Sequence, residues 1–359
     1  MNKHHKSSSV KLKVMDRLLI DMIETVKNNF NESPFIVLIV DDYTTKLLSS
    51  YLTMSELLKT GIFSVEPLNI KRQAFPNYQA IYFVSPTKQN LELIVNEFQD
   101  LNKPQYKCIH LYFPYRILTT VMDVLVNENI AFRIKSMIEL NVAFFANDDS
   151  FSIRENNSLQ LFAYNSSMYN NERKKLLSTI KNKIMTLFAS MKQYPYIQYQ
   201  NTVICRELAE LLNGDLNELE EQNVLSKDRN TICLLIDRSN DIISPLLHDY
   251  SYKSLVYDLF DISENNVLSL PTEQIVNYKL DEEDSVWDKY KNKHMGEVLK
   301  SITNDIDEFL KSDLSKAQNK NLENFDEMID AIKGKNEYSN KVKQLKVHLS
   351  ICNRIQKVR

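Results

Sequence analysis

The sequence predicts an α/β protein that continues into an all-α part, and three observations support this prediction. Strand-like apolar runs alternate with helical stripes up to residue 147, a sparser strand–helix pattern follows, and helical spacing dominates after residue 250. Alternation of strands with helices is typical of a doubly wound parallel sheet. We therefore expect a first α/β domain at 1–147, a second α/β domain at 148–250 and a helical domain at 251–359.

The first domain begins with a helical stripe at 18–26, after which FIVLIV (35–40) is a continuous apolar run. Such a run suits a strand that is buried on both faces of a parallel sheet. The same two patterns then alternate along the domain. The predicted strands lie at 35–40, 62–68, 80–85, 108–113 and around 141–145, and the predicted helices at 43–59, 88–99 and 116–127.

The second domain has few predicted strands, so we expect its sheet to be incomplete. Its predicted elements are a helix at 172–192, a strand at 194–200, a helix at 203–213 and a strand at 231–237. In the third domain we predict a helix at 287–310, a helix at 325–332 with Gly334 as its C-cap, and a last helix from Tyr338. The last helix reaches Arg359 in phase, so we expect a truncated form of a longer protein.

The composition excludes several classes of function. With 44 Lys and Arg against 47 Asp and Glu, the net charge of -3 gives no general attraction to nucleic acid or to an anionic membrane. The four glycines lie far apart, which excludes the glycine-rich loops that bind nucleotide phosphates. The sequence has no apolar stretch near the roughly 20 residues of a transmembrane segment, and its four cysteines show no C-x-x-C spacing. We expect a soluble, cytosolic protein without a cofactor.

Asp41 and Asp42 are the strongest candidates for chemistry, because they follow a buried strand at the edge where open α/β sheets bind ligands. One interpretation is a nucleotide or metal site of an α/β enzyme near Asp41. The other is that Asp41 caps the next helix, as Asp residues at strand ends commonly do. We favour the cap, since neither a histidine nor a second acidic pair completes a motif.

The other candidates favour structural roles. The acidic run at 281–284 lacks the glycine of an EF-hand loop, and we interpret it as a turn that complements the start of a helix. None of the six histidines has a zinc spacing, and His110 is expected in the core. The basic run at 173–175 is interpreted as a solvated helix face. We therefore expect no catalytic residue, no metal site and no enzyme activity.

The stretch 234–262, LLIDRSNDIISPLLHDYSYKSLVYDLFDI, carries a specific pattern. A strand ends in Asp-Arg, and an Asp, a Ser-Pro-Leu turn, a His and a Tyr-containing helix follow. This order resembles the signature of the Sec/Munc (SM) family, and further segments at 40–98, 137–144, 194–199 and 280–298 are similar to the family as well. We expect a structural role for the signature residues, since a strand-end Asp and Arg can form charge-assisted hydrogen bonds. These residues are Asp237, Arg238, Asp241, Pro245 and His248.

The resemblance, strongest to the exocytic branch, implies an arch-shaped protein that binds a syntaxin-type SNARE and the assembling SNARE complex. Such a protein regulates vesicle docking, membrane fusion, exocytosis and protein secretion. The resemblance also implies a cytoplasmic protein that reaches the plasma membrane or secretory vesicles only through SNAREs. A passive scaffold without SNARE specificity and the α/β enzyme with a site near Asp41 stay as alternatives.

The resemblance further implies two binding sites on the first domain. The SNARE-binding cleft corresponds to Asp41, Lys46, Glu66 and Arg72. The pocket for the N-terminal peptide of syntaxin corresponds to Met122, Ile134, Met137 and Glu139. The chain departs from the family pattern where a basic, an acidic and an aromatic residue are replaced, respectively, by Thr53, Gln73 and Met122.

Overall fold

The computed structural model of the 359-residue chain describes residues 10–29, 35–100, 103–126, 128–147, 150–155, 170–222, 225, 230–262, 267–271, 275–280, 284–317 and 325–358. By its internal contacts the chain divides into two compact units, Met1–Asn240 and Asp241–Arg359. The boundaries that we expect at 147 and 250 stay a prediction.

The first unit contains a five-stranded sheet in which every pairing is parallel and the strand order is β2-β1-β3-β4-β5. In this order the chain winds from β1 to one edge and then returns to build the other edge, which is the doubly wound topology that we predicted. The strands are β1 Ile36–Val40, β2 Ile62–Pro67, β3 Phe75–Phe83, β4 Tyr106–Phe113 and β5 Ile134–Glu139.

Helices cover both faces of this sheet. The first, α1, comprises Val10–Asp16, Arg17–Glu24 and Thr25–Asn29, and its middle part has π-helical hydrogen bonding. The helices that follow are α2 Asp42–Tyr51, α3 Met54–Lys59, α4 Lys88–Asn96, α5 Thr119–Met122 and α6 Glu128–Ala131.

The helix predicted at 43–59 is divided by a capping box. Thr53 has an extended backbone, and its hydroxyl accepts a hydrogen bond from the Glu56 amide while the Glu56 carboxylate accepts one from the Thr53 amide at 2.7 Å. This reciprocal pair satisfies two backbone groups at a helix start, so α3 begins as a separate helix.

The sheet lies between two apolar clusters because its side chains alternate between the faces. On β1, Ile36 and Leu38 pack with α1 and α2, whereas Val37 and Ile39 pack with α4 on the opposite face. All five residues of β1 are buried, as expected for a central strand.

The fifth strand differs from the prediction. It is formed by β5, whereas residues 141–144, which we expected in a strand, form an irregular segment. Asn141 has a left-handed backbone with φ of 55°, which ends extended structure there. Val142 and Phe144 are nevertheless buried, so the apolar run reflects core packing without a strand. The helix expected at 116–127 is also shorter, with α5 followed by a 3₁₀ turn at Asp123–Leu125.

The rest of the first unit has few described strands. A hairpin, β6 Phe145–Asn147 with β7 Ser150–Ser152, precedes a parallel pair that packs with two helices. These elements are α7 Asn170–Met191, β8 Tyr196–Tyr199, α8 Val203–Glu221 and β9 Ile232–Leu235. The helices and strands predicted between 172 and 237 are thus confirmed.

The second unit is mainly helical, as predicted, and it surrounds the only tryptophan of the chain, Trp287, which is 1% exposed. Its described elements are α9 Tyr252–Leu259, β10 Val267–Pro271, β11 Ile275–Lys279, α10 Ser285–Tyr290, α11 Met295–Ala317 and α12 Phe325–Val358. The β10–β11 hairpin was not predicted. The helix predicted at 287–310 is divided between α10 and α11.

The prediction that Gly334 caps a helix is wrong, because α12 continues through this position to Val358. An interior glycine costs a helix only about 1 kcal/mol relative to alanine, which a long helix can absorb.

Candidate functional site

The carboxylate of Asp41 lies at the carboxyl edge of the sheet, between β1 and β3, and four donors occupy it. Its Oδ1 accepts hydrogen bonds from the amide (2.7 Å) and the hydroxyl (2.9 Å) of Thr44, as the N-cap of α2. Its Oδ2 accepts from the Ser85 amide at 2.6 Å and from Asn90 Nδ2 at 2.7 Å. Asp41 therefore joins the ends of two strands to the helices after them, and the predicted capping role is confirmed.

Aromatic and cationic side chains fill the space beside Asp41. The hydroxyl of Tyr43 donates to the Ala143 carbonyl at 3.2 Å, and the buried Lys183 ammonium lies 4.7 Å from the centre of the Tyr43 ring. Lys183 also donates to the Glu155 carboxylate at 2.9 Å. Burial, with smaller effects of Asp41 and Glu155, raises the pKa of Tyr115 to about 12.

These contacts are structural, because the Asp41 carboxylate, the Tyr43 hydroxyl and the Lys183 ammonium all have partners within the protein. A nucleotide or metal site at Asp41, the alternative that the sequence left open, is not supported by this geometry. Among the described residues, no group of three or more His, Cys, Asp or Glu side chains could hold a metal ion.

The other three residues of the predicted cleft have different environments. Lys46 is exposed on α2, near its middle. Glu66, on β2, accepts a hydrogen bond from Ser64 Oγ at 3.0 Å and is partly exposed. The side chain of Arg72 is only 3% exposed and forms an ion pair with Glu97. The structure therefore places Lys46 and part of Glu66 at the surface, whereas the charge of Arg72 is directed inward.

The predicted peptide pocket lies at β5, the edge strand of the sheet. Ile134 pairs with Ile109 of β4, and Met137 pairs with Leu111; both partners belong to the apolar cluster under α4. A shift in register after Ile109 brings Ile134 and Met137 to the same face, although they are three residues apart. Met122, at the end of α5, packs against the same cluster.

Exposure distinguishes the members of this pocket. Ile134 and Met122 are half-buried, in line with a packing role, whereas Met137 is 42% exposed and Glu139 is exposed. Glu139 also accepts a hydrogen bond from the Ile117 amide at 2.9 Å. The structure therefore brings the four residues to one face of one sheet edge, with Met137 and Glu139 accessible there.

A groove of about 360 Å³ begins at Glu139 and extends to α7 and α8. Its mouth is crossed by an exposed ion pair between Arg116 and Glu218, with 3.0 Å between nitrogen and oxygen. The amide side chain of Asn182 also lines it. The groove is polar and continuous with the exposed part of β5.

The signature segment begins in the first unit and continues into the second. In the first unit, Asp237 accepts a hydrogen bond from the Ser239 amide at 2.8 Å, and the amide of Asp237 donates to Gln200 at 3.1 Å. Arg238 begins a 3₁₀ turn and is exposed. Asp237 therefore fixes the turn after β9, while the role of Arg238 stays a prediction.

In the second unit the signature residues organise an exposed loop. Asp241 accepts hydrogen bonds from the amides of Ile243 (3.1 Å) and Ser244 (2.9 Å), and Pro245 lies in the 3₁₀ turn Ser244–Leu246. His248 pairs with Asp258 of α9 at the surface. These contacts are those of turns and caps, and the structural role expected for the signature residues stays a prediction.

The sequence interpretation missed a polar network in the core of the second unit. His348 is fully buried; its Nε2 lies 2.7 Å from Asp284 Oδ2 and its Nδ1 lies 2.7 Å from the Tyr252 hydroxyl. Tyr278 donates to the same oxygen of Asp284 at 2.6 Å. These residues belong to four different elements, so no local sequence pattern indicates the network.

Asp284 also caps α10, since its Oδ1 accepts hydrogen bonds from the amides of Val286 and Trp287, both at 3.0 Å. Burial alone would raise the pKa of Asp284, but hydrogen bonds to His348, Tyr278 and the Trp287 amide hold it below its ordinary value. The predicted capping turn is confirmed at Asp284, and 281–283 lie outside the described residues.

The basic run at 173–175 is only partly a solvated face. Lys174 and Lys175 are exposed, but Arg173 is buried and forms two hydrogen bonds with the Glu207 carboxylate of α8, at 2.9 and 2.8 Å. The prediction is wrong for Arg173, because a bidentate pair with a distant carboxylate compensates its charge.

The sequence profile of the Sec1 family matches residues 36–358 of the chain. The chain is 28% identical over 357 residues to the protein transport protein sec1 of Dictyostelium discoideum. This alignment covers 94% of the chain and 58% of that relative. It is 29% identical over 245 residues to the vacuolar protein sorting-associated protein 45 of Schizosaccharomyces pombe, covering 67% of the chain and 42% of the relative. The chain thus spans about half the length of the curated relatives that it matches.

Solved structures show the same fold. The Unc18–syntaxin 1 complex of Monosiga brevicollis aligns with a TM-score of 0.78 at 23% identity, over 97% of this chain and 62% of the solved chain. The SM protein Vps45 in complex with the Qa SNARE Tlg2 aligns with a TM-score of 0.76 at 18% identity, over 97% and 60% of the two chains. On the family match over 36–358, the chain belongs to the Sec1 family.

Proposed function

We propose that this protein binds a syntaxin-type SNARE and the assembling SNARE complex, and thereby regulates vesicle docking and membrane fusion in exocytosis and protein secretion. The observation that carries this proposal is the Sec1 family match along nearly the whole chain. The fold is also shared with an Unc18 protein and a Vps45 protein that were solved with a syntaxin and a Qa SNARE.

The proposed activity is binding, with no chemical step. The satisfied carboxylate of Asp41, and the Tyr43 and Lys183 side chains that fill the space beside it, support this part of the proposal. We propose that the protein acts in the cytoplasm and associates with the plasma membrane or secretory vesicles through its SNARE partner. The described part of the chain has no helix that is long and apolar enough to cross a membrane.

Two surfaces support this function. The first is the cleft surface with Lys46 and Glu66, whose exposed charges would align a charged SNARE helix. The second is the β5 surface, where Met137 offers an apolar contact and Glu139 offers a carboxylate to an extended peptide. The two surfaces lie on different parts of the first unit, so each is open to a separate test.

The first experiment measures binding of the cytosolic region of a plasma-membrane syntaxin. The variant Lys46→Glu is compared with the control Lys59→Glu. Lys59 is also exposed, but it lies on α3 and outside the predicted cleft. We expect Lys46→Glu to weaken binding about tenfold, mainly through slower association that depends on salt, because exposed interface charges steer encounter. The absence of syntaxin binding by the wild type would favour the passive scaffold and overturn the proposal.

The second experiment uses a fluorescent peptide with the N-terminal residues of the same syntaxin. Glu139→Gln keeps an acceptor for the Ile117 amide, whereas Glu139→Lys removes the acceptor and reverses the charge. We expect both variants to weaken peptide binding, with the larger loss for lysine. Equal affinity of the wild type and both variants would exclude the β5 surface as the peptide site.

A further inference from the structure

Residues 68–74 connect β2 to β3 without regular secondary structure, and most of their side chains face solvent. Ile70 is 61% exposed, and Lys71 and Gln73 are exposed as well. Leu68 is buried, at 4% exposure, and the side chain of Arg72 is 3% exposed. Leu68 and Arg72 therefore hold this segment, called here the β2–β3 segment, against the sheet.

Arg72 connects the β2–β3 segment to two other elements. Its Nη1 donates to the Pro67 carbonyl at 2.6 Å, at the end of β2. Its Nη2 pairs with Glu97 Oε1, at the end of α4, while the other oxygen of Glu97 accepts from the Tyr82 hydroxyl of β3 at 2.6 Å. The guanidinium thus joins the segment to a helix and to a central strand.

The backbone of the segment is held at the same place. The side-chain amide of Gln105 donates to the carbonyls of Arg72 (3.4 Å) and Gln73 (2.9 Å). Gln105 directly precedes β4, so the segment is fixed across three strands of the sheet. Glu66 is held by β2 itself, where it pairs with Ile39 of β1, whereas the location of Lys71 depends on these contacts.

The charge of Arg72 is compensated inside the protein. Glu97 is its ion-pair partner, and Glu66 is more distant, with 4.0 Å between Arg72 Nε and Glu66 Oε2. Arg72 Nε is fully enclosed and has no hydrogen-bond partner among the described residues. An outward movement of Arg72 would leave the Glu97 carboxylate, whose side chain is 20% exposed, without its cation, which is unfavourable.

We propose that Arg72 is a positioning residue of the SNARE-binding surface, which anchors the β2–β3 segment to Glu97 so that Lys71 is presented to the SNARE beside Glu66. This inference rests on the proposed function, and it changes the role that the family resemblance implies for Arg72. It also assigns a role in binding to Glu97, which does not itself face the partner.

The anchor is tested first without a SNARE, by limited trypsin digestion of the native chain. Cleavage after Arg72 requires release of its buried side chain, so Glu97→Gln is expected to raise the rate of this cleavage about 100-fold, since the rate follows the population of the open form. Glu92→Gln is the matched control on α4, because Glu92 is 53% exposed and pairs with the exposed Lys88. Equal cleavage of Glu97→Gln and the control at this segment would refute the anchor.

The role in binding is tested with the cytosolic syntaxin region and the variants Arg72→Gln, Glu97→Gln and the double variant. A positioning role predicts that each single variant weakens binding by a similar factor, about tenfold, and that the double variant is no weaker than either. The salt dependence of the Kd stays that of the wild type. If Arg72→Gln alone weakens binding and lowers the salt dependence, Arg72 contacts the SNARE directly and the proposal fails.

The two experiments separate this inference from the proposed function. A wild-type chain that does not bind syntaxin would overturn the proposed function and, with it, a role for Arg72 in SNARE binding. The trypsin comparison would still decide whether Arg72 and Glu97 hold the segment.

Discussion

The buried network around His348 gives a prediction about the stability of the second unit. His348→Ala removes an imidazole that is fully buried, that pairs with Asp284 and that accepts or donates a hydrogen bond to Tyr252. The same substitution removes the ring that stacks on Trp287, with 6.2 Å between the ring centres. We expect a large loss of stability from this one change.

The size of this loss depends on the contacts that Asp284 keeps when the imidazole is removed. Leaving a buried carboxylate without one of its partners costs about 3–5 kcal/mol where its charge is uncompensated. Asp284 keeps three other hydrogen bonds, from Tyr278 and from the amides of Val286 and Trp287, so the lower end of that range applies to it. The lost ring stacking adds about 0.5–1 kcal/mol. The expected decrease in the free energy of unfolding is therefore about 3–4 kcal/mol.

The chain contains a matched control for this measurement. His248 pairs with Asp258 in the same unit, but the two side chains are 62% and 46% exposed. An exposed pair contributes about 0–1 kcal/mol, so His248→Ala is expected to change stability by no more than that. Trp287 is the only tryptophan, and urea unfolding followed by its fluorescence reports on this unit.

The result that would refute this reasoning is equal destabilisation by the two histidine variants. A loss below about 1 kcal/mol for His348→Ala would mean that the enclosed carboxylate finds another partner at little cost. A change in the dependence of the unfolding free energy on urea concentration would indicate that the native state itself has changed. The measurement would then be made with the variant His348→Gln in place of His348→Ala.

Three further predictions concern stability. Asp41→Ala removes the cap of α2 and the hydrogen bonds to the Ser85 amide and to Asn90, so the free energy of unfolding measured by circular dichroism should fall by about 3 kcal/mol. The control is Asp42→Ala at the exposed neighbouring residue, for which we expect a loss of less than about 1 kcal/mol; similar values for the two variants would contradict the capping role. Glu207→Ala leaves the buried Arg173 without its carboxylate partner and should lower the free energy of unfolding by about 2–3 kcal/mol. The double variant with Arg173→Met should recover most of this loss, and strictly additive effects of the two substitutions would refute an interaction between these side chains. Because the pKa of Asp284 is lowered in the folded protein, its contribution is present at neutral pH and decreases as the pH falls below about 4, the pKa of a free Asp side chain. Asp284→Asn should therefore differ most from the wild type at neutral pH, and the difference in the free energy of unfolding should shrink as the pH is lowered; a constant difference would refute this assignment.

The topology of the sheet was predictable because it depends on local patterns. FIVLIV is apolar at every position, as suits a strand covered on both faces, and residues 36–40 of this run form the buried β1. The irregular segment after Asn141 has an equally apolar sequence, and its strand prediction was wrong. The burial of an apolar run can therefore be predicted from its composition. The conformation of residues 141–144 could not be predicted in this way, because the apolar pattern does not indicate the left-handed backbone of Asn141.

Side-chain partners explain most of what the sequence did not reveal about the site. The positions in the cleft and in the peptide pocket came from the family resemblance, and their roles in binding stay predictions. Asp41 was interpreted correctly as a cap because the cap is local: its first partner, Thr44, is three residues away. The partners of His348 lie 64 and 96 residues away, so nothing near His348 in the sequence indicates its burial.

Arg72 and Lys46 show the same principle within the predicted cleft. Both are cations, and the resemblance implied one role for both. Lys46 lies on a helix surface and keeps its side chain exposed, while Glu97, 25 residues beyond Arg72, draws the guanidinium under the β2–β3 segment. An unpaired buried cation is costly, so the positive charge of Arg72 predicts an acidic partner. The charge alone does not tell whether that partner belongs to a SNARE or to the protein itself. For a cleft that is built from charges, substitution of the internal carboxylate is therefore the test that separates a residue that touches the partner from one that holds the surface in place.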